Sequence, residues 1–220
     1  MKAEPFREGI GKPMAPRALT ASRIWSQGGY AVVSGIIGRR LLDALKAEAE
    51  GARPLGQRTI LPFSDRTEGR GGSPARALRS SPCGEVHQAR HASRQLTDAI
   101  SEICGIAVSS TGVGTYHYYE REGDFFALHR DFEGSDIALI TCISQRLTEQ
   151  PMGGLLVYPN LFSPGLSQVR AAGKAMSLAI HLVPGETAIL LGGQLPHEVT
   201  PVAAGQDRVV AVNCYRLQET

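Results

Sequence analysis

Apolar positions along the chain change their period near residue 105. Before it the pattern is helical. Leu41, Leu42 and Leu45 form a stripe within 39–50, with Gly51 as the expected stop. Leu96, Ile100 and Ile103 share a face within 91–104, which Gly105 closes. A short β-branched run at 30–33 precedes the first helix. Between them, 53–85 is rich in Gly, Pro, Ser and Arg with little periodicity, which predicts a functional loop or lid, or a disordered stretch. After Gly105, short runs of Val, Ile, Leu, Tyr and Thr recur between turn residues. Strands are predicted at 106–109, 114–120, 125–130, 136–144, 154–158, 176–182, 187–191, 197–202 and 208–215. Closely spaced strands without intervening helices indicate a sandwich or barrel. The predicted fold is mainly β with flanking helices, an antiparallel double-stranded β-helix, or jelly roll, of the cupin kind. Residues 1–20, rich in Pro, Gly and basic side chains, read as a flexible N-terminal arm.

Composition narrows this picture only a little. At 220 residues, 42% hydrophobic and 20% charged, the chain is ordinary for one globular domain. No apolar window approaches the length of a membrane span, and the first residues lack the apolar stretch of a secretory signal, so a cytoplasmic location is expected. Cys83, Cys104, Cys142 and Cys214 contain no C-x-x-C spacing and read as reduced thiols. The net charge of +2 hides an asymmetry: residues 1–95 carry 16 Lys/Arg against 8 Asp/Glu, leaving 7 against 13 for the rest. The basic front lacks the interleaved aromatics of a single-strand binder, which disfavours nucleic acid as a partner.

The chemistry concentrates at Leu128-His129-Arg130-Asp131. Residues two apart on a strand share a face, so His129 and Asp131 can converge on one ion while Arg130 turns away. His197, opening a later strand candidate, offers a third ligand. Two imidazoles and a carboxylate on one face of a metal leave positions open, the ligand set of non-haem Fe(II) oxygenases. Eleven residues on, Arg208 opens the apolar run Val209–Val212. A buried guanidinium there needs a partner, either a dicarboxylic co-substrate gripped bidentately or a salt bridge to Asp207 or Glu198. His87 and His91, four apart, could share a helix face as a metal pair, but no third ligand stands near them in the sequence.

With these residues in place, the sequence resembles the 2-oxoglutarate/Fe(II)-dependent dioxygenases, in particular their prolyl 4-hydroxylase-like branch. The elements run in order as Tyr119, Gly123, Phe126, His129-Arg130-Asp131, Gly153-Gly154-Leu155-Leu156, His197-Glu198-Val199-Thr200-Pro201 and Arg208, over roughly 115–215. The resemblance implies a single oxygenase domain over 21–220, with helices and a substrate loop in 21–105 and the jelly-roll core in 106–216. It implies Fe(II) on His129, Asp131 and His197, with O2 and 2-oxoglutarate as co-substrates. Arg208 is expected to pair with the far carboxylate of 2-oxoglutarate, with Tyr119 close by. Two departures stand out: Phe126 occupies a position that is usually tyrosine, and Ser144 and Gln145 stand where some relatives offer a tyrosine hydroxyl to the co-substrate, a contact for which Gln145 is the candidate substitute. Asp131 favours hydroxylation over halogenation, because related halogenases carry a small residue in its place. Desaturation or ring closure could use the same site.

For the substrate, the arginines Arg53, Arg58, Arg66, Arg70, Arg76 and Arg79 precede the barrel where relatives place covering loops. Arg66, Arg70 and Arg76, with Arg130, are candidates to hold the carboxylate of a small molecule such as an amino acid or a related metabolite. The alternatives are a peptide or carrier-bound residue of the prolyl type, or a cupin-like protein that binds a metal or ligand without chemistry. Oligomeric state cannot be read from the sequence.

Overall fold

The structure, a computed structural model, describes residues 17–63, 73–146 and 153–218. Eleven antiparallel strands form one curled sheet: β1 (Tyr30–Val33), β2 (Gln57–Leu61), β3 (Arg76–Pro82), β4 (Val108–Tyr119), β5 (Phe125–His129), β6 (Ile137–Arg146), β7 (Leu155–Val157), β8 (Leu178–Ile180), β9 (Thr187–Leu190), β10 (His197–Val199) and β11 (Asp207–Leu217). Their order is β1-β9-β6-β11-β4-β3-β5-β10-β7-β8, with β2 paired to β3. The jelly-roll expectation is met.

Alternation along β4 and β11 sorts side chains between the two faces of the curl. Arg208 lies opposite Tyr119, Val210 opposite His117 and Val212 opposite Thr115, and these six line the interior cavity. The residues between them, Tyr116, Tyr118, Val209 and Ala211, pack outward with Leu45 and Ala49 of helix α3 (Arg39–Ala52). The outward tyrosines find partners there. Tyr118 donates to the Ala49 carbonyl (2.7 Å) and Tyr116 to Glu48 (2.8 Å). Glu48 in turn accepts from the Val86 and His87 amides, which closes the first turn of α4 (Glu85–His91). A carboxylate at a helix N-terminus meets unsatisfied N–H groups and the positive end of the dipole. Burial opposes its ionisation, but these hydrogen bonds win and hold the Glu48 pKa down.

Four local expectations need correction. The helix expected over 91–104 is α5 (Arg94–Cys104), which starts three residues late because Ser93 caps it by accepting from the Leu96 amide at 3.1 Å, while His91 ends the separate α4. Gly105, at φ +71°, ends α5 as expected, since glycine enters the left-handed region at no steric cost. The first helix runs through Gly51 to Ala52 and stops before Pro54. The expected loop 53–85 contains the β2–β3 hairpin. Of the predicted arm, residues 17–20 form a helical turn, α1 (Arg17–Thr20), and 1–16 lie outside the described residues. The chain also forms α2 (Arg23–Ser26) and α6 (Leu166–Ala172). All four cysteines are free. Among the described residues no helix is long and apolar enough to cross a membrane.

His87 is buried under α3 and beside the Tyr116 ring. Burial above all, with the nearby charges of His91 and Arg90, lowers its pKa to about 4 against opposition from Asn213 and Glu48. A depressed folded-state value means that the unfolded chain takes the proton first. The contribution is therefore complete above the ordinary imidazole range and is lost as pH falls from about 6.5 towards 4. Urea titrations should show up to about 3 kcal/mol lost from this group across that window, with a shallower fall in His87→Phe. An equal fall in the variant would show that His87 is not the group responsible.

Candidate metal centre

His129 and His197 are direct cross-strand neighbours in the β5–β10 ladder, so their rings lie side by side, centroids 4.2 Å apart. Each Nδ1 faces the carbonyl two residues back, His129 to Ala127 (2.7 Å) and His197 to Leu195 (2.9 Å). A carbonyl only accepts, so each Nδ1 carries the hydrogen and each Nε2 presents a lone pair. Both Nε2 atoms stand 3.6 Å from the same oxygen of Asp131, Oδ1. Burial, followed by the proximity of His129, lowers the His197 pKa to about 4, which keeps that ring neutral and available as a ligand. Asp131 is held low as well. Burial works against its ionisation, but the two neighbouring imidazoles and the Ser135 hydroxyl outweigh it.

Strand β5 ends at His129, so something else must place Asp131. Its amide donates to the Gly192 carbonyl (2.8 Å), and Ser135 donates to its Oδ2 (3.3 Å). Gly192 also makes room: a Cβ there would overlap Asp131 Oδ2 and stand 2.9 Å from its Cγ. Sequence reasoning missed Gly192 and Ser135. The pair Gly192-Gly193, just before His197, was the available signal for a close approach.

Arg208 is 4% exposed and lines the same cavity. One nitrogen, Nη1, donates to the Gly153 carbonyl (2.7 Å), while Nε and Nη2 are buried without a hydrogen-bond partner. Neither expected salt bridge forms. Asp207 pairs with Arg146 at 3.5 Å, and Glu198 accepts from Tyr158 at 2.6 Å. Tyr119 lies opposite Arg208 across the ladder and is buried beside it; burial raises its pKa, and Arg208 opposes this. Gln145 pairs with Arg208 on the other side but is not among the cavity-lining residues.

The arginines divide. Arg58 pairs with buried Asp124 (2.5 Å), Arg79 with Glu120 (2.8 Å) and Arg53 with Glu120 (3.6 Å). Arg76 lines the cavity. Arg66 and Arg70 lie outside the described residues. Arg130 also lines the cavity, but its guanidinium is engaged by backbone carbonyls. Its Nε donates to Gln194 O and its Nη2 to the carbonyls of Leu161, Phe162 and Pro164. It therefore clamps the 161–164 segment, and burial lowers its pKa to about 10.

Among the described residues, His129, Asp131 and His197 form the one group able to hold a metal, with ligand atoms within 4.8 Å of one another; His87 and His91 gain no third ligand. Two neutral imidazole nitrogens and a carboxylate suit a divalent first-row ion with open positions. The two orphaned Arg208 donors suit a carboxylate. The residues present thus fit Fe(II) and 2-oxoglutarate.

Solved structures share this fold. A prolyl-4-hydroxylase from Pseudomonas putida superposes with a TM-score of 0.60 at 17% identity, over 89% of this chain and 96% of that one. The non-haem α-ketoglutarate-dependent epimerase SnoN of nogalamycin biosynthesis gives 0.67 at 12% identity, over 87% and 80%. HygX from Streptomyces hygroscopicus, with nickel, 2-oxoglutarate and hygromycin B bound, gives 0.61 at 12% identity, over 88% and 84%. The fold is that of the 2-oxoglutarate-dependent non-haem oxygenases. No protein-family model matches the sequence, and no curated protein matches it. In this fold, His129, Asp131, His197 and Arg208 line one cavity of about 340 Å³.

Proposed function

We propose that this chain is an Fe(II)- and 2-oxoglutarate-dependent dioxygenase that hydroxylates an unactivated C–H bond of a small molecule, with release of succinate and CO2. The observation that carries the reading is the pairing, in one cavity, of a His-Asp-His donor set with a buried arginine that keeps two donors unpaired. When bound, Fe(II) and 2-oxoglutarate would together activate O2 for attack on an unactivated C–H bond. His129, Asp131 and His197 are the proposed ligands. Their Nδ1–carbonyl hydrogen bonds fix ring orientation and tautomer before any metal arrives. Arg208 would grip the distal carboxylate of 2-oxoglutarate, with Tyr119 packed beside it. The apolar wall of Leu155, Val199, Val210 and Val212 limits water around the reacting groups.

HygX and the ectoine-related EctD from S. alaskensis are crystallised with small molecules, hygromycin B and 5-hydroxyectoine. The cavity here, at the small end of ligand pockets, supports a small substrate too. Incubation with Fe(II), 2-oxoglutarate and O2 should release succinate slowly without added substrate, and faster when a candidate substrate fits. Succinate release that is indifferent to Fe(II) removal by a chelator would count against the proposal.

A further inference from the structure

Arg76 is a cation in the cavity wall that no carboxylate among the described residues answers. The neighbouring arginines Arg53, Arg58 and Arg79 all meet carboxylates, Arg58 that of Asp124 and the other two a shared Glu120. Arg130 has four carbonyls, and Arg208 is matched by 2-oxoglutarate in the reading above. Half-buried Arg76 donates once, to the Pro74 carbonyl at 3.2 Å, and lies over the Phe126 ring, 5.7 Å from its centroid. No ion pair forms with it among the described residues. A cation–π contact offsets part of the desolvation of a guanidinium but does not neutralise it.

The placement is specific. Arg76 is the register partner of Phe126 in the β3–β5 ladder, and the Phe126 ring stacks on His129 with centroids 4.3 Å apart. One aromatic ring therefore separates the guanidinium from a metal donor. Around it the cavity wall offers neutral polar groups: the hydroxyls of Thr59, Ser80 and Thr115, and the His117 imidazole. Asp131 is the one acidic residue among the described lining, and it belongs to the metal donor set.

Charge then selects the ligand. Fe(II), the 2-oxoglutarate dianion, Asp131 and Arg208 sum to zero, so Arg76 stays uncompensated until a monoanion enters. An ammonium group would meet Arg76 and find no free carboxylate in the described lining. We propose that Arg76 is the counter-ion of the substrate, and that the substrate is a small carboxylic acid without a free ammonium group, a 2-substituted or N-blocked acid in preference to a free amino acid. This rests on the iron and 2-oxoglutarate reading and names the substrate class for that site. Bidentate contact with the carboxylate would fix the molecule at one end, leaving its C–H region next to Phe126 and the metal donors.

The test uses matched triplets of small compounds: N-acetyl amino acids, the same free amino acids, and the N-acetyl methyl esters. Each is titrated anaerobically into the protein loaded with Fe(II) and 2-oxoglutarate, following the shift of the visible metal-to-ligand band, with succinate release as a second readout. Responses are expected from N-acetyl acids, and not from their zwitterionic or ester counterparts. Arg76→Met should weaken those responses by about ten- to a hundredfold and leave 2-oxoglutarate affinity and the starting band unchanged, with Arg76→Lys in between. The proposal is overturned if esters or zwitterions bind as well as the acids, if Arg76→Met binds the acids like the parent, or if the band is intact and no acid binds. Absence of the band itself would bring down the iron and 2-oxoglutarate reading first, and the Arg76 assignment with it.

Discussion

Gly192→Ala should abolish high-affinity Fe(II) binding in a protein that remains folded. The Gly192 backbone cannot retreat easily, because its carbonyl accepts the Asp131 amide and the preceding Leu191 amide bonds to Gly29. An added methyl must therefore displace what it meets, which is the Asp131 carboxylate, with Ala138 Cβ a further 3.1 Å contact. A carboxylate is the mobile end of a side chain, so the fold survives by rotating it away. The rotation removes one of three proposed ligands. Fe(II) affinity should fall by at least about a hundredfold, while the melting temperature of the metal-free protein moves by no more than a few degrees. Gly51→Ala, where a methyl meets nothing within 4 Å, is the control and should leave both quantities unchanged or slightly raise stability. Undiminished Fe(II) affinity in Gly192→Ala would mean that Asp131 does not ligate from this position.

Arg208→Met should separate stability from function. In the metal-free protein the guanidinium is buried with Nε and Nη2 unpaired, and burial pulls its pKa down, so the fold carries an uncompensated charge. Methionine has similar length and no charge, and replacing buried ions by apolar side chains is often neutral or stabilising. The variant without ligands should be at least as stable as the parent. Its 2-oxoglutarate affinity should fall by about two to three orders of magnitude, as expected for removing one partner of a buried ion pair worth about 3–5 kcal/mol. Fe(II) binding alone should persist. The parent gains about 2.7 kcal/mol of stability at 2-oxoglutarate concentrations a hundred times Kd, and Arg208→Met should gain almost none at that concentration. Equal thermal shifts in both proteins would show that Arg208 is not the co-substrate's partner.

The shared placement of His129 and Asp131, and the inward placement of Arg208, were legible because their geometry is local. His129 and Asp131 are two residues apart at the end of one strand, and Arg208 opens an apolar run whose inward register follows from alternation. Tyr116 and Tyr118 against Thr115 and His117 divided between the two faces by the same rule. What the sequence hid depends on distant partners. Strand β3 escaped notice because polar side chains interrupt its apolar alternation: Arg76 and Ser80 flank Leu78 on the cavity face, and Arg79 reaches Glu120. The pairing of Arg58 with Asp124 spans 66 positions, and no periodicity reports it. The start of α5 is set by a single cap, Ser93, three residues inside the expected span. A β-bulge between Val209 and Val210 shifts the register that would otherwise place Gln145 relative to Arg208. The role of Gly192 appears only once β5 and the segment before β10 are side by side.

The central claim is that His129, Asp131 and His197 hold a metal to which 2-oxoglutarate also binds. It is tested most directly by mixing the metal-free protein anaerobically with Fe(II) and 2-oxoglutarate and recording the visible spectrum, alongside Asp131→Ala. The account predicts a weak charge-transfer band that needs both components and is lost or displaced in the variant. A protein shown to be folded that gives no band and no measurable 2-oxoglutarate binding would contradict it, and the barrel would then be a binding module with no oxygenase chemistry.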